Sequence, residues 1–140
     1  MRAMTMTLTL ALATAALVAR ADGKHGTAVA AEALQWNEMS AKAPGVEIAA
    51  LQGDWKAGPY QAFIKFPPGS RSGLHTHSSE MKIVVVSGSF RYGATDAEAQ
   101  AYGPGSYIVI AADAPHTNQQ PEGCTLFVEQ PGKFDTKAAR

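Results

Sequence analysis

The segment GSRSGLHTHSSEMKIVVVSG, from Gly69 to Gly88, sets two imidazoles one residue apart, at His75 and His77. Successive side chains on a β-strand point to opposite faces, so these two share a face and Thr76 takes the other. Converging neutral imidazoles suit neighbouring positions on one transition-metal ion. Alone, the pair would fit a solvent-facing strand equally well, and a metal site needs a third donor. His116 offers one, at the end of YGPGSYIVIAADAPHTNQQ, after a turn that follows the apolar stretch Ser106–Ile110. Three imidazoles leave coordination positions open, as a working site requires and a closed structural site does not. A carboxylate, Glu80, follows three residues beyond His77.

Strands must position these side chains. From Trp36 onward short apolar runs recur between glycine and proline signals, and no stretch keeps a helical apolar period for three turns. The pattern predicts strands over Val46–Leu51, Tyr60–Phe66, Met81–Ser87, Ser89–Tyr92, Ser106–Ile110 and Thr125–Glu129. In the second of these Tyr60, Ala62, Ile64 and Phe66 share one face. Ile83-Val84-Val85-Val86 is apolar on both faces, which predicts a strand buried on both sides. Gly58-Pro59, Pro67-Pro68-Gly69, Gly103-Pro104-Gly105 and Pro131-Gly132 mark turns. Short, regularly spaced strands joined by such turns argue for an all-β sandwich or barrel, and 140 residues suffice for one domain.

With both histidine segments in this order, the chain resembles the cupin superfamily. The first cupin motif is matched by Gly69, five residues, His75-Thr76-His77 and the closing Gly88. The second is matched by Gly105, five residues, Ala111-Ala112-Asp113 in place of Pro-x-Gly, two residues and His116. The resemblance spans about Trp36 to Asp135 and implies a cupin-type jelly-roll β-barrel as a single domain. It departs from the pattern at the glutamate place, counted back from Gly88, which falls on Met81. If that register holds, Met81 faces the cavity and Glu80 points elsewhere; if the loop after His77 is one residue shorter, Glu80 can swing in as a ligand. The asparagine place of the second motif holds Gln120, and Asn118 lies two residues after His116.

The resemblance implies one divalent transition metal, iron first and then zinc, nickel or copper, held by His75, His77 and His116. Met81, Ile83, Val85 and either Tyr60 or Phe66 would line an otherwise apolar cavity suited to a small ligand. Asn118 and Gln120 share the parity of His116 and are candidates to orient its ring by hydrogen bonding. Lys82 should face away from the cavity. Three-histidine iron cupins resemble small dioxygenases of diketones or thiols. The expectation is therefore an exported metal-binding cupin, a mononuclear iron dioxygenase of a small organic substrate. The alternatives are a non-catalytic binder of a small ligand or metal, and a Lewis-acid lyase or isomerase. Cupins are often dimers, so a homodimer is admissible by analogy.

The first 21 residues have an early arginine, an apolar stretch from Leu8 to Val18 and the small-x-small triplet Ala19-Arg20-Ala21. That layout reads as a secretory signal peptide and predicts a periplasmic or secreted protein. The stretch is shorter than the roughly 20 apolar residues that a spanning helix needs, so the mature chain should carry no membrane anchor. Residues 22–35 read as a flexible leader, 36–135 as the barrel and 136–140 as a C-terminal tail. Cleavage after Ala21 would leave ten basic against twelve acidic residues, and no basic face argues for nucleic acid. The single cysteine, Cys124, has no internal partner for a disulfide and reads as a small core hydrophobe.

Overall fold

The structure, a computed structural model, describes residues 26–139. The chain divides into two units, Met1–Ala33 and Leu34–Arg140. Within the first, the described residues hold one short 3-10 turn at Ala31–Ala33. The expected signal peptide lies outside the described residues. Among those residues no helix is long and apolar enough to cross a membrane.

The second unit is built from eleven strands: β1 (Asn37–Glu38), β2 (Glu47–Gly53), β3 (Tyr60–Phe66), β4 (Ser70–Thr76), β5 (Met81–Gly88), β6 (Phe90–Gly93), β7 (Gln100–Tyr102), β8 (Tyr107–Ile110), β9 (His116–Gln120), β10 (Cys124–Gln130) and β11 (Lys137–Ala138). They form two antiparallel sheets, one of six strands in the order β1-β2-β3-β10-β5-β8 and one of five in the order β11-β4-β9-β6-β7. Most connections pass from one sheet to the other, giving the jelly-roll arrangement that the resemblance implies. Lys137–Ala138, in the segment expected to be a tail, adds β11 to the outer edge of β4.

Alternation decides which residues enter the space between the sheets. On β3, Tyr60, Ala62 and Ile64 are buried, and on β10 Leu126 and Val128 meet them. On β5, Met81, Ile83 and Val85 point inward, while Lys82 faces out and pairs with Glu129 at 3.4 Å. Val86, by contrast, is 46% exposed. The apolar run of β5 is therefore a one-faced strand, not the doubly buried one expected. Among the described residues Val86, Tyr107 and Val109 stay exposed on the outer face of this sheet, so the β-branched ones there serve strand propensity rather than burial. Each fully buried Ile or Val on the inner face contributes about 1.5–3 kcal/mol through removal of apolar surface from water.

Turn chemistry closes the strands where the glycine pattern indicates. Gly88 has φ of 75°, and a Cβ there would lie 2.2 Å from the Gly123 carbonyl oxygen, so β5 and β10 can approach only without a side chain. Asp113 occupies the place where the second motif has glycine, and it adopts a left-handed φ of 59°. Its amide donates to the His77 carbonyl oxygen at 2.8 Å, which ties the turn before β9 to the residue after β4. Aspartate is among the few residues that tolerate this conformation.

Candidate metal centre

The three histidines meet on the five-stranded sheet, and a β-bulge brings them together. β4 and β9 pair as Ser70 with Gln120, Arg71 with Gln119 and Ser72 with Asn118, but the next pair is His75 with His116. One extra residue in β4, around Gly73 and Leu74, shifts the register. Continued without the bulge, the ladder would place Leu74 opposite His116 and turn His75 outward. The bulge moves the inward face from Ser70 and Ser72 to His75 and His77. Sequence reasoning assigned the shared face of the two histidines but missed this device. An isolated glycine within a strand, Gly73, was the available signal.

All three rings are buried, with exposures of 6%, 4% and 1% for His75, His77 and His116. Their ring centroids lie 4.9 Å (His75 and His77), 4.2 Å (His75 and His116) and 5.1 Å (His77 and His116) apart. One nitrogen from each lies within 4.8 Å of the other two. The opposite nitrogens are held by backbone. The Nδ1 atoms of His75, His77 and His116 face the carbonyl oxygens of Gly73 at 2.7 Å, Asp135 at 2.6 Å and Ala114 at 2.9 Å. A carbonyl can only accept, so each Nδ1 carries the proton and donates, leaving a bare lone pair on each Nε2. In His116 that Nε2 is buried without any hydrogen-bond partner.

Electrostatics reinforce the neutral form. Burial pushes His116 down to about 4, and the neighbouring His75 and His77 add to that against the opposing pull of the Ala114 carbonyl. Burial also holds His77 below the ordinary histidine range, with the Asp135 carbonyl opposing. Three neutral imidazoles with second nitrogens anchored to carbonyls form the donor set that a divalent transition metal takes, and the carbonyls fix ring orientation and tautomer. The orphaned Nε2 of His116 is the observation that most directly fits a metal, because a buried acceptor without a partner is otherwise costly.

The remaining candidate residues separate into distinct places. Glu80 is half-buried, and among the described residues the cluster of potential ligands contains no carboxylate. Met81, Ile83, Asn118 and Gln120 line a cavity of about 870 Å³ that opens from the histidines, and Phe66 reaches it too. Val85 and Tyr60 lie in the core instead, Tyr60 donating to Gln130 Oε1 at 3.0 Å. Asn118 and Gln120 bond to each other at 2.9 Å, while the Ala114 carbonyl orients the His116 ring. Asp135 was not foreseen: its carboxylate accepts from the Ser78 amide at 2.8 Å and from the Ser78 hydroxyl, fixing the loop that follows His77. Phe134 and Tyr92 flank the cluster, with rings 5.6 Å from His77 and 5.5 Å from His116. Cys124 is buried, and burial pushes its thiol up to about 12, as suits a core residue.

A jelly roll with His75 and His116 inward on adjacent strands, His77 just beyond the first of them, and glycines Gly69, Gly88 and Gly105 at positive φ has the cupin fold. Solved structures agree on the fold. The chain is similar to an RmlC-like cupin from Shewanella frigidimarina (18% identity, TM-score 0.59, 73% of this chain and 87% of that one). It is also similar to the polyketide cyclase RemF from Streptomyces resistomycificus (18%, 0.67, 82% and 86%). A third similar structure is a candidate acetylacetone dioxygenase from Methylibium petroleiphilum (17%, 0.65, 82% and 81%). No curated protein sequence matches the chain. Over residues 20–137 the chain belongs to the family described as Domain of unknown function (DUF4437).

Proposed function

We propose that the protein is an exported mononuclear metalloenzyme, an iron-dependent dioxygenase of a small organic substrate. The observation that carries the reading is the set of three converging imidazoles, each fixed through Nδ1 by a backbone carbonyl, with the Nε2 of His116 buried and unpartnered among the described residues, beside a largely apolar cavity. His75, His77 and His116 would hold the ion. Bound there, Fe(II) supplies open coordination positions and redox chemistry with O₂, whereas zinc or nickel supplies Lewis acidity.

The chain's own residues do the rest. Gly73, Ala114 and Asp135 keep the three rings in one tautomer through their carbonyls. Met81, Ile83, Ile110 and Phe134 exclude water from the reacting end of the cavity. The volume falls within the range of small-molecule sites. Similarity to the candidate acetylacetone dioxygenase supports a chelating, oxygen-rich substrate. The similarity to RemF, a polyketide cyclase by its description, favours a second reading as a Lewis-acid enzyme.

Oxygen uptake by iron-loaded and zinc-loaded protein, assayed against diketones, thiols and phenols, separates these readings. Substrate-dependent uptake by the iron form alone supports the dioxygenase. Conversion without oxygen uptake, equal in the zinc form, replaces it with the Lewis-acid reading. Binding without conversion in either form leaves a ligand-binding cupin. Export is tested by the mass of the chain recovered outside the cytoplasm, which a cleaved leader would lower.

A further inference from the structure

The inner face of β9 continues beyond the histidine cluster as a polar strip. His116, Asn118 and Gln120 alternate along one face, and all three line the cavity. Gln120 is fully buried and Asn118 nearly so, at 0% and 7% exposure. The Gln120 amide is only half used. Its Nε2 donates to Asn118 Oδ1 at 2.9 Å, and its Oε1 is buried without a partner among the described residues.

A buried, unpaired amide end is unfavourable in the free protein, and an apolar residue would fill the place at no such cost. The cavity supplies the direction in which a partner could arrive, since the opposing wall is Ile64, Ile83, Leu126 and Val128. At about 3.3 Å per residue, Gln120 sits on the order of 13 Å along the strand from His116. The amide reaches back toward Asn118, which shortens that span.

From this geometry we propose that Gln120, steadied by Asn118, recognises the far end of an extended and largely apolar ligand whose near end carries the oxygen atoms that face the histidine cluster. The group it reads is a hydroxyl, which can both donate and accept and so satisfies either end of the amide. This assignment rests on the metal-centre reading for the near end only. At the far end it stands on the unpaired amide and the shape of the cavity.

The test uses two probes that differ by one group, 1-phenylbutane-1,3-dione and 1-(4-hydroxyphenyl)butane-1,3-dione, titrated into zinc-loaded and zinc-free protein. Wild type should bind the hydroxylated probe about three- to ten-fold more tightly, the range expected of one neutral hydrogen bond. The Gln120→Leu variant should lose that preference and keep a melting temperature equal to or above wild type. A purely structural glutamine would lower the melting temperature and leave the preference in place. Equal affinities in wild type, a preference that survives in Gln120→Leu, or no binding of either probe to protein holding one zinc per chain would overturn the proposal while leaving the metal centre standing. A chain that takes up no zinc but still shows a Gln120-dependent preference would sustain it and remove the metal centre instead.

Discussion

The two walls of the cavity are built alike and filled differently. β5 and β9 both alternate, and both bury their inward residues almost completely. β5 presents Met81 and Ile83 to the cavity, whereas β9 presents His116, Asn118 and Gln120. The six-stranded sheet supplies an apolar backing and the five-stranded sheet supplies the chemistry. Each depends on the other. Burial disfavours the charged imidazole and holds His77 and His116 toward the neutral form, which is the form that binds metal. On the cavity face of the polar wall, His116 Nε2 and Gln120 Oε1 are buried without hydrogen-bond partners among the described residues.

Breaking the polar wall at its bulge should have the largest effect. Insertion of one alanine between Leu74 and His75, with the bulge kept, puts the alanine opposite His116 and turns His75 and His77 outward, so metal content should fall to background. Elemental analysis beside circular dichroism checks this, since the β spectrum should persist. Breaking the apolar wall should act on stability instead. Ile83→Ala, at a residue 1% exposed, should cost about 2–5 kcal/mol in urea unfolding while metal stoichiometry is kept. Loss of metal with unchanged stability in that variant would dissolve the distinction between the walls.

Acidity sharpens the comparison. His77 and His116 have folded-state values below the unfolded 6.5, so above pH 6.5 both states are neutral and stability is at its full level. As pH falls from 6.5 toward about 4, the unfolded chain takes up protons that the folded site resists, and the metal-free protein loses stability across that window. Melting temperature measured against pH on chelator-treated protein should decline there, and the decline should be smaller in His116→Gln. The smallest effect belongs to the turn before β9. Asp113→Gly relieves a left-handed φ of 59° and should change stability by no more than about 1 kcal/mol, whereas Asp113→Val should destabilise visibly.

These contrasts also show what the sequence could disclose. The spacing of Gly69, His75, His77, Gly88, Gly105 and His116 carried the cupin resemblance that implied the fold and the three ligands, while strand parity, a local property, gave the shared face of His75 and His77. Tyr60–Phe66 was legible to the residue for the same reason. The bulge at Gly73 was not, because a one-residue shift in pairing is fixed by the partner strand β9. β9 itself escaped notice as a strand, since HTNQQ is polar throughout and lacks the apolar alternation that marks strands. The exposure of Val86 could not be read either, since apolar runs look the same whether one face or two are covered. The place of Glu80 depended on the loop from Ser78, which Asp135 fixes from 57 residues away.

The central claim is that His75, His77 and His116 form a metal centre. Its most direct test is elemental analysis of the untagged protein, beside the His75→Ala/His116→Ala variant, after purification and after reconstitution. The account predicts close to one transition-metal ion per chain in the wild type and none in the variant, with iron directing attention to oxygen chemistry and zinc or nickel to Lewis-acid chemistry. No metal in the wild type even after reconstitution, or the same metal content in the variant, would contradict it.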